Sequence, residues 1–201
     1  MKNKAKRLKI AILGEHPDND AEAFRTLLEK RPYPNAQFDI PIRNLRGGQF
    51  DVPTAVVRQI KNVKREQSFD KFIIIRDLDG ILSESHKVKN RDDWFKKVNQ
   101  GIDGSGIFYL AIAETEALLL SDIETINKKY GTQLTQHGNP INIADPKEEL
   151  KIATGKKSKN PYEPNHCGDI MQAITFQKVF DNHRGERSFQ AFIKELDGIL
   201  K

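Results

Sequence analysis

Apolar and polar positions along this chain fall into two periods, and the switches between them lay out the elements. Leu8 to Gly14 (LKIAILG) is apolar, β-branched and stopped by glycine, so it predicts a first strand. Ala21 to Lys30 carries Phe24, Leu27 and Leu28 on one helical face; Asp18, Asn19 or Asp20 can cap it, and Pro32 and Pro34 end it. Gln37 to Arg43 (QFDIPIR) alternates and reads as a strand, with Pro41 arguing for a sheet edge. Pro53 suits the first turn of a helix running to about Arg65, with Val56, Val57 and Ile60 inward. Phe72 to Ile75 predicts a strand buried on both faces. Leu82 to Lys89 is polar and reads as loop, and Arg91 to Gln100 reads as a helix bearing Trp94, Phe95 and Val98. Gly106 to Ala113 (GIFYLAIA) is another apolar strand, and a helix follows from about Thr115 with Leu118, Leu119 and Leu120 behind it. Strands alternating with helices at this spacing predict parallel βα units: an α/β fold with a mainly parallel sheet flanked by helices.

After about Lys129 the pattern changes. Tyr130 to Pro161 is rich in Gly, Asn, Pro and Lys, with a short helical turn from Pro146 to Ala153, and Cys167–Phe180 and Ser188–Leu200 predict two closing helices. We therefore expect a core over residues 1–129, with residues 130–201 packed on it as a basic segment and a C-terminal helical extension. The 201 residues suffice for one such domain. No apolar run approaches the roughly 20 residues of a membrane span, and Leu8 to Gly14 is too short and wrongly flanked for a signal peptide. The single cysteine, Cys167, excludes an internal disulfide and fits a reducing cytoplasm. A net charge of +5 permits a polyanionic partner.

The chemistry gathers at strand ends. Phe72-Ile-Ile-Ile-Arg-Asp-Leu-Asp-Gly80 closes on two carboxylates two residues apart. Side chains alternate along a strand, so Asp77 and Asp79 point to one side, roughly 6–7 Å apart at their Cα atoms, a pairing that suits a hard divalent cation or, equally, a polar loop. Glu15 follows the first strand and Glu114 the last, with Glu116 in the next helical turn. In a parallel sheet these ends share one edge, where the carboxylates repel unless a cation neutralises them or their pKa values rise. The lysines of 147–159 (Lys147, Lys151, Lys156, Lys157, Lys159) are candidates for phosphate contact or for a solvated face. The five histidines and one cysteine match no structural zinc spacing, and His166-Cys167 reads as a helix start. Gly101-Ile-Asp-Gly104-Ser-Gly106 precedes a strand and so is no phosphate-binding loop. Arg76 points to the face opposite the aspartates and reads as an ion-pair partner.

The segments ILGEHPDNDAEAF, IIIRDLDG, AIAETEALLLSD, DPKEELKIATG and SFQAFIKEL, in this order, resemble the TOPRIM-like DUF4276 family. The resemblance implies a TOPRIM fold, which is Rossmann-like, and a nuclease related to those of the overcoming-lysogenization-defect (OLD) type. By it, Glu15, Asp77 and Asp79 hold Mg²⁺ (or Mn²⁺), and Glu114 and Glu116 match the later acidic motif. Many TOPRIM first motifs read glutamate-glycine; here glycine precedes Glu15, and His16-Pro17-Asp18 follows. Asp18, Asp20 or Glu22 then supplies the next ligand, with Glu22 the expected one. The implied reaction is phosphodiester hydrolysis of DNA or RNA with two ions. Lys147 or Lys157 would stabilise the transition state, and Lys151, Lys156 and Lys159 would contact the nucleic acid. An ABC/OLD-type ATPase in a prokaryotic anti-phage system is the implied partner, and a homo-oligomer is compatible. The rival expectation is an inactive TOPRIM-like module that docks on an ATPase or senses a ligand.

Overall fold

The computed structural model describes residues 7–45, 47–135, 138–156, 158 and 160–200. Among them four strands form one parallel sheet: β1 (Leu8–Leu13), β2 (Ala36–Asp39), β3 (Lys71–Asp77) and β4 (Gly106–Ala111), in the order β2-β1-β3-β4. In β3, Ile73 and Ile75 enter one core layer and Phe72 and Ile74 the other. A strand covered on both faces needs such an unbroken apolar run.

The helix α1 (Glu22–Glu29) links β1 to β2 and buries Phe24, Leu27 and Leu28 on the layer of Ile10 and Ile12. On the other face α2 (Pro53–Gln67) and α3 (Ser85–Gly101) bury Val56, Ile60, Trp94 and Val98 against Ala11 and Leu13. The chain leaves β1 toward one edge of the sheet and then builds toward the other. Its crossovers therefore diverge between β1 and β3, and the strand ends there open a crevice, as in other Rossmann-like α/β folds. The remaining helices are α4 (Glu116–Leu119), α5 (Ile123–Tyr130), α6 (Pro146–Gly155), α7 (Cys167–Ala173), α8 (Phe176–Asn182) and α9 (Phe189–Leu200). They close the α1 face: Leu150, Ile170, Phe189 and Ile193 share the core of Phe24 and Tyr109. No helix among the described residues is long and apolar enough to cross a membrane.

Several boundaries differ from the sequence expectation for local reasons. The edge strand β2 is short and stops before Pro41. The expected loop before residue 90 is instead the start of α3, whose first turns are polar because they face outward. The Glu84 side chain accepts the Ile81 N–H (2.9 Å) and pairs with Lys87 (3.0 Å) there, while Val88 packs on Leu78 and Leu110. The helix expected from Thr115 breaks at Asp122, whose Oδ1 accepts the Thr125 N–H (3.3 Å) and caps α5. Asp122 Oδ2 also takes the Thr175 N–H (2.9 Å), drawing it away from a continuous helix and separating α7 from α8.

Candidate active site

The strand ends meet at the crevice. Asp77, the last residue of β3, continues the face of Ile73 and Ile75 and opens into a cavity of about 400 Å³. Glu15 enters from the end of β1, Glu114 and Glu116 from beyond β4, and Asp79 from the turn after β3. Asp79 (φ 55°) and Ala113 (φ 61°) both sit in the left-handed region, and the backbone between them is tied: Asp79 N–H donates to Ala113 O (3.1 Å) and Ala113 N–H to Gly80 O (2.8 Å). Left-handed backbone at an alanine costs energy, and such strain collects at sites. A tight turn, Pro17–Ala21, adds Asp20 to the cavity wall, its Oδ2 accepting the His16 N–H (3.0 Å). At Gly14 the turn presses on β1: a Cβ there would stand 2.9 Å from that of Asp20.

Cations border this acidic set. Lys147, in the first turn of α6, donates to Glu114 Oε1 (2.5 Å) and lies 4.0 Å from Glu116 Oε1. Asp145 caps the helix by accepting the Glu148 N–H (2.9 Å). A lysine gains nothing from the dipole at that end of a helix, so its placement is explained by the carboxylates it meets. Arg91 reaches from α3 to Asp79 Oδ2 (2.8 Å) and Asp77 O (3.1 Å). Thr115 Oγ1 donates to Asp77 Oδ1 (3.2 Å), and the buried Tyr162 hydroxyl donates to Glu116 Oε1 (3.0 Å).

A family model described as "Domain of unknown function (DUF4276)" matches residues 19–197. The chain belongs to the DUF4276 family. No curated protein and no solved structure matches it. In this DUF4276 chain the matched stretch contains Asp20, Asp77, Asp79, Glu114, Glu116 and Lys147, and it starts after Glu15.

The electrostatics follow from crowding like charges. Burial pushes the Asp77 carboxyl well above the usual range, and Asp20, Glu116, Asp79 and Glu114 add to the rise. Burial likewise takes Asp20 up to about 6 against the pull of its His16 hydrogen bond, with Glu116 and Glu15 adding. It raises Glu116 too, although Lys147 opposes it. Burial works against the Lys147 ammonium, yet its bond to Glu114 and the fields of Glu116 and Asp77 raise it on balance. Glu114 Oε2 is buried with no hydrogen-bond partner. The carboxylates form an all-oxygen donor set, which suits Mg²⁺ or Mn²⁺, and a carboxylate oxygen without a partner is free to ligate. As the side chains stand, no three His, Cys, Asp or Glu residues among those described are arranged to share an ion, and Lys147 and Arg91 each pair with one of the carboxylates.

Of the sequence candidates, the cavity brings together Glu15, Asp77, Asp79, Glu114, Glu116 and Lys147. Glu22 is not among its walls; it pairs with Arg25 and with Arg43 (3.4 Å), and Asp20 takes the place expected for it. Counting back from the inward Phe24, the residues three and four positions earlier share its face and Glu22 does not, a signal pointing to Asp20. His16 and Cys167 also line the cavity, outside the expected set. Cys167 begins α7, and burial, with Glu116, Asp20 and Asp77 adding, pushes its thiol well up, which disfavours the thiolate. Lys151 lies 3.9 Å from Glu148, and neither it nor the exposed Lys156 lines the cavity. Lys157 and Lys159 lie outside the described residues. Arg76 faces away from the aspartates as expected. It is buried over Trp94 (4.5 Å from the ring centroid) and pairs with Asp51 (2.5 Å), itself 3.6 Å from Arg91.

Proposed function

We propose that this chain hydrolyses phosphodiester bonds in nucleic acid with the help of Mg²⁺ or Mn²⁺. One observation carries the reading: carboxylates from three separate strand ends and one turn face a single cavity at the switch point, with a lysine drawn in among them. A fold gains no stability from crowding acids in this way, which favours a function that needs them. Glu15, Asp20, Asp77, Asp79, Glu114 and Glu116 are the residues that would hold the metal. When bound, it would polarise the scissile phosphate and acidify a water. Arg91 and Thr115 steady Asp79 and Asp77, so these ligands are oriented before substrate arrives. Lys147 presents ammonium donors beside the carboxylates, where they can hold a phosphoryl oxygen as charge builds on it.

In the overall reaction a water oxygen bonds to phosphorus, the ester P–O bond breaks, and the proton released by water ends on the leaving oxygen. DNA or RNA as substrate, and an ABC/OLD-type ATPase as partner in an anti-phage system, are supported by the family resemblance alone. The test is nicking of plasmid DNA and cleavage of RNA with Mg²⁺ or Mn²⁺, with and without an ATPase encoded beside the gene. Cleavage by wild type and its loss in Asp77→Ala is the expected result; identical behaviour of the two on every substrate refutes the reading.

A second reading, a non-catalytic module, is favoured by one specific feature: Lys147 and Arg91 already neutralise Glu114 and Asp79. Calorimetric titration separates the two. The nuclease binds Mn²⁺ at millimolar concentration or below, and the module does not.

A further inference from the structure

The face of the molecule built by α2 and α3 carries a second feature. The two helices approach so closely that a Cβ at Gly101 would stand 2.6 Å from Val57 Cγ2, and beside this contact lies a groove of about 630 Å³. Its floor is apolar and its walls are basic: Arg58, Lys61 and Arg65 from α2 and Lys97 from α3, with no carboxylate among the lining residues. Arg58, Lys61 and Lys97 are exposed, and their charged side-chain groups have no hydrogen-bond or ion-pair partner among the described residues. Arg65 bonds only to neutral oxygens, Lys61 O (3.3 Å) and Asn62 Oδ1 (2.9 Å). Lysine and arginine stems do cover apolar surface, but like charges three and four residues apart repel, and side chains of mixed sign would cover that floor without the cost. Arg58 and Lys61 also lie too far from the C-terminal turn of α2 for its dipole to reward them.

We propose that this groove binds the sugar–phosphate backbone of a nucleic-acid strand. From Arg58 to Arg65 the helix advances about 10 Å, the length of about three phosphates along one strand of a duplex. The groove offers cations and an apolar floor and no ring of hydrogen-bonding side chains, so it tracks backbone and does not read sequence. Choosing nucleic acid over other polyanions rests on the nuclease reading; the binding itself needs no metal.

The test is fluorescence anisotropy in EDTA, so that no cleavage occurs, with a labelled oligothymidine strand, a labelled DNA duplex and a labelled RNA strand. Wild type should bind at least one of them at low salt, and competition by polyglutamate should be weak. Arg58→Glu/Lys61→Glu should bind at least tenfold more weakly, and the milder Arg58→Gln/Lys61→Gln should flatten the slope of log affinity against log salt by about 1.5. Circular dichroism confirms that both variants fold. Unchanged affinity and slope in both variants, no binding by wild type, or polyglutamate competing as well as nucleic acid would each overturn the proposal. Loss of cleavage in Asp77→Ala with groove binding intact separates this site from the cavity, since groove binding in EDTA survives even if no cleavage is ever found.

Discussion

At Asp77, burial and four neighbouring carboxylates act in the same direction, each favouring the protonated acid. The folded pKa lies above the unfolded one, so this residue's contribution to stability is fully present at low pH and is lost as pH rises through the folded value. Without metal, Asp77→Asn should therefore raise the melting temperature at pH 7.5 by about 2–4 °C, with a smaller gain at pH 5, as read by scanning fluorimetry in EDTA. A variant no more stable than wild type at pH 7.5 would show that the repulsion is already relieved. Lys147 is the counterpart. Its ammonium holds Glu114 and stands near Glu116, in the space a metal would share. Removing the charge in Lys147→Met should tighten Mn²⁺ binding by about tenfold in calorimetry while cleavage falls, because the competitor and the phosphate donor are the same atom.

Among the elements, the turn Pro17–Ala21 and the α8–α9 corner make the sharpest predictions. Gly14 lets the turn lie against β1, and a Cβ there would stand 2.9 Å from Asp20 Cβ and 3.1 Å from Ala21 N, where backbone cannot yield cheaply. Gly14→Ala should cost about 1–3 kcal/mol in denaturant unfolding and weaken Mn²⁺ binding by displacing Asp20. At the α8–α9 corner His183 is buried, its Nδ1 accepts the Phe189 N–H (3.0 Å), and burial lowers its pKa from 6.5 to about 4. The neutral ring is the folded form, so the unfolded chain takes up the proton first as pH falls from 6.5 to 4. Stability should drop by about 3 kcal/mol across that window, opposite in sign to the Asp77 effect. His183→Asn should flatten the pH dependence of denaturant unfolding there. The same elements show what was legible beforehand. The buried strands were plain, because a short apolar, β-branched run stopped by glycine or carboxylates has few other readings, whereas the aspartate pair at the end of β3 read equally as a polar loop until the other acidic strand ends were set beside it. The first turns of α3 were not, since an outward-facing polar turn has no apolar stripe to announce it. Nor were the breaks around Asp122, whose side chain caps α5 and takes the Thr175 N–H some fifty residues on, a contact local patterning cannot contain.

Across the whole molecule, the cavity is built from both halves of the chain. Glu15, Asp20, Asp77, Asp79, Glu114 and Glu116 come before residue 130, while Lys147 and Tyr162, which hold the last two, come after it. The core is shared in the same way. Phe24 packs on Tyr109 (centroids 4.8 Å apart) and on Phe192 (5.3 Å), and Leu150, Ile170, Phe189, Ile193 and Leu196 are fully buried in the same layer. At about 1.5–3 kcal/mol for each large apolar side chain buried, these five contribute on the order of 10 kcal/mol, as much as the net stability of a typical domain. A fragment of residues 1–129 would leave one face of the sheet, with Phe24 and Tyr109, open to water, and Glu114 and Glu116 without their lysine. It should therefore show no cooperative thermal transition by circular dichroism and should aggregate, whereas the full chain should melt in one step. A sharp melt from the fragment would mean that the sheet with α1, α2 and α3 stands alone. The residues after 130 would then serve the cavity without being needed for the fold.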